Sequence, residues 1–180
     1  MPESGETVRT FVAVLLSEAA AREAERLLDR LRPLARCRWV TRAQLHITLR
    51  FLGELSPAAV ERVRSAVAAV AVQPFDIELR RAGAFPDLAR PRTLWLGGDR
   101  GASELTALAG RVNDALFGVG IPRNDRPFSP HLTLARSDGS PLPPALMREL
   151  ERVPSVAWRC SDISLMRSRL TSRGAVYTRL

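Results

Sequence analysis

The chain has 180 residues, a formal net charge of +8, two His and two Cys, and all 27 of its basic residues are Arg. The absence of Lys excludes a P-loop lysine, a Schiff base and a lysine nucleophile of the kind ATP-dependent ligases use. Cys37 and Cys160 alone exclude a zinc-finger ligand set and a disulfide framework, and reduced thiols are expected.

An apolar share of 46% and a charged share of 26% fit a globular chain. The length suits one domain with a real core. No apolar run reaches the roughly 18 residues that span a bilayer. The start, MPESGETVRT, does not read as a secretory signal. The expectation is a cytoplasmic monomer with no membrane partner. The Arg excess points to phosphate or nucleic acid, because guanidinium matches phosphate geometry. A compositional bias in an Ala- and Arg-rich chain gives the same excess.

Residues 1–9 read as a polar end. Residues 10–16 (TFVAVLL) are expected to form a buried strand. Ser17 caps a predicted helix over 18–32, ended by Pro33, with Leu27, Leu28 and Leu31 at helical spacing. Residues 44–52 (QLHITLRFL) read as a strand broken by Gly53. Ser56 and Pro57 open a helix to about residue 72, with Val60, Val63, Val67 and Val70 on one stripe. Residues 75–84 and 92–96 read as strands around a loop at 83–91. Ser103 opens a predicted helix to Phe117, stopped by Gly118. Residues 120–130 are loop, and 131–136 (HLTLAR) form a strand closed by turn residues 137–140. A short helix over 143–152 precedes two strands, 158–169 and 175–180, around a turn at 171–174. No long linker interrupts these elements, so the expected class is α+β with antiparallel pairing.

The two histidines sit in an internal echo, HITL at 46–49 and HLTL at 131–134. Each match to His, aliphatic, Thr, Leu has a chance of roughly 1 in 200 at background usage. Two matches 85 residues apart suggest two similar halves, each lending a strand to a shared site. In a strand, His and the Thr two residues on project from one face, and the intervening Ile47, Leu49, Leu132 and Leu134 point into a core. Two such strands bring two imidazoles and two hydroxyls to one cleft. With an unperturbed pKa near 6.5, one His can take a proton from water as the other gives one to a leaving oxygen. The Thr hydroxyls can hold phosphate oxygens, and an Arg can neutralise growing charge. No metal or other cofactor is required, and two His without a carboxylate cluster make a poor divalent site.

HITLRFLGE (46–54) and PFSPHLTLAR (127–136) resemble the two signature motifs of the 2H phosphoesterases. The closer match is the branch called 2′-5′ RNA ligase or RNA 2′,3′-cyclic phosphodiesterase. Residues 9–18, 83–98 and 172–180 also resemble that branch. The resemblance implies one bilobal domain over 1–180, with pseudo-two-fold symmetry and antiparallel sheets around a central cleft, helices outside. It implies hydrolysis of RNA 2′,3′-cyclic phosphate ends to 2′-phosphomonoesters, with His46 as general acid and His131 as general base. Thr48, Thr133 and Arg136 are then the phosphate-binding residues. Role exchange on reversal leaves 2′-5′ ligation open without ATP, because ligation starts from a cyclic phosphate and a hydroxyl end.

Arg136 lies five residues after His131, so a regular strand puts it on the opposite face. It reaches the phosphate only if the strand ends or bulges there. The equivalent place in the first motif is Phe51. Phe51, Phe128 and Trp39 are candidates for stacking on a base, with packing as the alternative. Two further readings remain open: a non-catalytic module binding RNA or nucleotide phosphate, and a phosphodiesterase acting on another small cyclic phosphate such as an ADP-ribose derivative.

Overall fold

In the computed structural model, which describes residues 7–172 and 174–180, the first apolar run forms strand β1 (Val8–Leu15). The polar end expected over residues 1–9 falls, for residues 1–6, outside the described residues, as does Arg173 in the last turn. Helix α1 (Glu18–Leu31) begins where the Ser17 hydroxyl accepts the Ala20 N–H at 3.2 Å. It buries Leu27, Leu28 and Leu31. The two-residue strand β2 (Arg38–Trp39) follows, then the long strand β3 (His46–Leu55). Gly53 does not end β3 as expected. It sits at φ +73° inside the strand, which a residue without Cβ tolerates.

Helix α2 (Pro57–Ala68) has the expected cap, Ser56, but stops earlier than residue 72. The run 75–84, expected as one strand, divides into β4 (Phe75–Leu79) and β5 (Arg81–Phe85). Strand β6 (Thr93–Gly97) leads to helix α3 (Ala102–Phe117). α3 starts behind Gly101 rather than at Ser103; Gly101 has φ +84°, and a Cβ there would lie 2.6 Å from the Asp76 carbonyl oxygen. Strand β7 (Leu132–Arg136) and helix α4 (Pro144–Leu150) come next. The run 158–169 also divides, into β8 (Val156–Cys160) and β9 (Ser164–Thr171), and β10 (Gly174–Arg179) ends the order.

Two four-stranded antiparallel sheets result, in the orders β10-β9-β1-β3 and β2-β7-β6-β5, beside a β4-β8 ribbon. β3 and β7 lie against each other, and α2 and α3 pack on the first sheet. Ile47, Leu49, Leu132 and Leu134 belong to one buried cluster, as expected from the alternation.

The echo extends to the register. In the first sheet Val12 faces Arg50 and Ala13 faces Thr48, which leaves Leu49 as an extra residue. In the second, Leu94 faces Ala135 and Trp95 faces Thr133, which leaves Leu134 as the extra residue. Each bulge lets two consecutive residues point inward, Leu49 with Arg50 and Leu134 with Ala135. The next residues, Phe51 and Arg136, therefore return to the open face.

Candidate functional site

Gln44 prepares the position of the first histidine. Its side-chain amide donates to the Ala175 carbonyl at 2.7 Å and its Oε1 accepts the Thr41 N–H at 2.9 Å. Its own carbonyl lies 2.8 Å from His46 Nδ1. A carbonyl only accepts, so Nδ1 carries the proton and the neutral ring keeps its lone pair on Nε2. Thr48 Oγ1 lies 2.9 Å from that Nε2. The ring packs between Phe11, with centroids 4.8 Å apart, and the edge of Tyr177, at 5.2 Å.

The second histidine repeats this construction just before β7. His131 Nδ1 lies 2.7 Å from the Ser129 carbonyl, again two residues upstream, so Nε2 is again the bare nitrogen. Pro130 restricts Ser129 to extended backbone, which aims that carbonyl. His131 meets Phe85 edge-on at 4.9 Å, and Phe85 packs on Trp95 at 5.3 Å. Trp95 fits only because residue 83 is Gly; a Cβ there would stand 2.4 Å from the indole. Thr133 lies opposite Trp95 in the sheet and half-buried, on the open face with His131.

Burial pushes both imidazoles below their ordinary pKa. The backbone carbonyls oppose that shift by stabilising the charged ring. The charge of His131 lowers His46 further, and that of Arg136 lowers His131. The two rings are therefore neighbours that resist double protonation. An anion between them would reverse the effect.

Arg136, returned to the open face by the Leu134 bulge, donates from Nη1 to the buried Thr93 hydroxyl at 2.7 Å. Phe51, at the matching place in β3, is 50% exposed, and the Arg9 guanidinium lies 4.8 Å from its ring centre. Phe128 and Trp39 pack against the core instead, and Trp39 Nε1 donates to the Ala35 carbonyl. Cys37 and Cys160 are free, and burial raises both thiols, Cys160 to about 11. Among the described residues no group of three or more His, Cys, Asp and Glu could hold a metal ion, and no helix is long and apolar enough to cross a membrane.

The structure thus brings His46, Thr48, His131, Thr133 and Arg136 to neighbouring open faces. Gln44, Phe11, Tyr177, Phe85 and Trp95 were not legible as site residues. Phe11, Phe85, Trp95 and Tyr177 fall in the stretches 9–18, 83–98 and 172–180 that resemble the family, but no motif singles them out within those stretches.

Residues 17–171 match the family model described as the 2′-5′ RNA ligase superfamily. A protein from Aeropyrum pernix named RNA 2′,3′-cyclic phosphodiesterase is 39% identical over 138 residues, 75% of this chain and 78% of its own. One of the same name from Aquifex aeolicus is 34% identical over 177 residues, 95% of this chain and 94% of its own. A solved structure from Thermus thermophilus superposes with TM-score 0.78 at 32% identity, over 96% of this chain and 94% of the other. E. coli LigT complexed with 3′-AMP superposes with TM-score 0.77 at 26% identity, over 97% and 96%. With the repeated His-x-Thr strands and their matched bulges, these similarities mean that the chain belongs to the 2′-5′ RNA ligase superfamily, a group of 2H phosphoesterases.

Proposed function

We propose that the protein hydrolyses 2′,3′-cyclic phosphate ends of RNA to 2′-phosphomonoesters by a two-histidine, metal-independent mechanism. The observation that carries this reading is the repeated anchoring of the rings. Each Nδ1–H is tied to the carbonyl two residues upstream, so each Nε2 faces outward for proton transfer, that of His46 beside the Thr48 hydroxyl. A binding module needs no such matched pair. The relatives named RNA 2′,3′-cyclic phosphodiesterase support the substrate class.

In this mechanism His131 Nε2 accepts a proton from water, and the water oxygen forms the new bond to phosphorus. The bond from phosphorus to O3′ breaks, and His46 gives its Nε2 proton to O3′. The product carries a 2′-phosphate and a 3′-hydroxyl. Thr48 and Thr133 donate to the non-bridging oxygens, and Arg136 offsets the charge that grows on them. Proton transfers of this kind contribute about 100- to 10,000-fold each. The anionic substrate favours a charged imidazole, and the Arg136 charge beside His131 favours its neutral form, so the proton is assigned to His46. A 5′-hydroxyl in the place of water gives a 2′-5′ linkage, and its reversal exchanges the two roles.

The test is an RNA oligonucleotide ending in a 2′,3′-cyclic phosphate, incubated in EDTA. The expected product is the 2′-phosphate end. Loss of turnover in EDTA, or a 3′-phosphate product, contradicts the mechanism. Faster turnover of an ADP-ribose cyclic phosphate than of any RNA end would move the substrate class. Tight binding without turnover would favour a module.

A further inference from the structure

Beyond Arg136 the open face of the second sheet runs into a recess of about 660 Å³. Four arginines line it: Arg36, Arg38, Arg92 and Arg136. They come from three separate stretches of the chain, around residues 36–38, 92 and 136, which strand pairing brings together. Arg38 of β2 and Thr93 of β6 flank Arg136 of β7 on either side, and Arg92 precedes Thr93. Directly opposed like charges in an antiparallel pair are destabilising, and Arg38 faces Arg136 in this way.

Among the described residues no ion pair relieves that conflict. Among the described residues some arginines meet carboxylates, as Arg22 meets Glu18, Arg64 meets Glu61 and Arg123 meets Asp114, and others such as Arg62 and Arg111 do not; what sets the recess arginines apart is that four of them cluster. None of the four recess arginines has an ion pair of that kind among the described residues. The acidic member of the recess, Asp138, accepts the Ser140 N–H at 2.9 Å within its own turn. Those bonds to Ser140 hold its carboxyl low, and attraction to Arg92 adds least. Four like charges with one distracted carboxylate among them fit an external anion.

We infer that this recess is a second phosphate-binding site, which takes the backbone phosphates of the RNA strand running away from the cyclic end. This rests on the function proposed above, and it adds to the RNA end named there a path for the strand behind that end. Arg136 belongs to both sites: its guanidinium bears on His131, and its neighbours Arg38 and Arg92 carry the positive field onward. Guanidinium groups grip phosphodiester oxygens without reading bases, so the site lends affinity and not sequence preference.

The test is a binding measurement, so that it stands apart from turnover. A fluorescein-labelled pentaribonucleotide ending in a 2′-phosphate is titrated against wild type, Arg38→Ala, Arg92→Ala and the double variant. A nucleoside 2′-monophosphate serves as the comparison ligand. Wild type is expected to bind the pentamer at least tenfold more tightly than the monophosphate. The double variant loses at least tenfold more affinity for the pentamer than for the monophosphate. Each single variant also flattens the slope of log affinity against log salt by about 0.7, the single-strand value per phosphate contact. Removal of the like charge at Arg38 keeps or raises the melting temperature, which separates lost binding from lost folding. Equal loss on both ligands, no loss on either, or an unchanged salt slope overturns the inference. Failure of the cyclic phosphodiesterase reading would show instead as no turnover with the pentamer preference intact.

Discussion

Leu49 and Leu134 occupy equivalent bulges, each three residues after a histidine, and each turns the residue two places further on toward the open face. In one lobe that residue is Phe51 and in the other Arg136. The repeated fold therefore offers two matching positions and fills them unequally, with an aromatic face in one and a cation in the other. The repeat places the pair of imidazoles; the unequal positions give the site a direction.

Arg136 is expected to act through its charged fork of donors and not through packing. Arg136→Ala should lower kcat/KM on a cyclic phosphate end by about 100-fold, the cost of losing one preorganised donor to a growing oxyanion. Thr93→Val removes the hydroxyl that holds the guanidinium and should cost less, a several-fold loss. Arg136→Lys should recover little, because an ammonium does not reproduce the fork of donors. Steady-state kinetics on the three variants check this order.

Gly83→Ala tests the support behind His131. The added Cβ would press on Trp95 at 2.4 Å, and Trp95 packs on Phe85, which meets His131. The expected destabilisation is about 1–3 kcal/mol, as for other overpacked sites. A matching fall in kcat is expected, because the ring loses its fixed orientation. Urea unfolding and initial rates measure the two effects.

Arg50 separates stability from function. It is only 9% exposed, its Nη2 donates to the Pro122 carbonyl at 2.6 Å, and its Nε and Nη1 have no hydrogen-bond partner among the described residues. Burial of that charge is costly, and burial indeed lowers its pKa. Arg50→Met should leave the melting temperature unchanged or higher. It should also lower kcat, because the loop that ends at His131 loses an anchor. A lower melting temperature with unchanged kcat would contradict this role.

Stability should depend on pH through the two imidazoles. Both are held below the ordinary value by burial. An unfolded imidazole takes its proton near pH 6.5, and the folded ones only at lower pH. Between those limits the unfolded state binds more protons, so stability falls as pH drops through about 6.5. Above that range these groups contribute no pH dependence. Urea midpoints at pH 7.5 and 5.5 should differ more for wild type than for the His46→Gln, His131→Gln double variant.

The His and Thr positions were legible because a two-residue period is the plainest strand signal, and it occurs twice. The bulges were not, since they break that same period at Leu49 and Leu134. They resolve the difficulty of the Arg136 face, which regular alternation alone left open. Gly53 was misread because glycine both ends strands and permits them to bend. The runs 75–84 and 158–169 were read as single strands because apolar alternation continues while the chain leaves one sheet for another. The arginine recess was hidden for a different reason: Arg38, Arg92 and Arg136 meet only through the pairing of β2, β7 and β6.

The most direct measurement is the pH profile of kcat/KM on an RNA 2′,3′-cyclic phosphate end, for wild type, His46→Ala and His131→Ala. Wild type should give a bell, since one ring must be neutral and the other charged. Each variant should lose at least about 100-fold in rate, the lower limit for a proton-transfer group. His131→Ala should lose the acid limb, and His46→Ala the alkaline limb. Full activity in either variant, or an unchanged bell in both, would contradict a two-histidine mechanism.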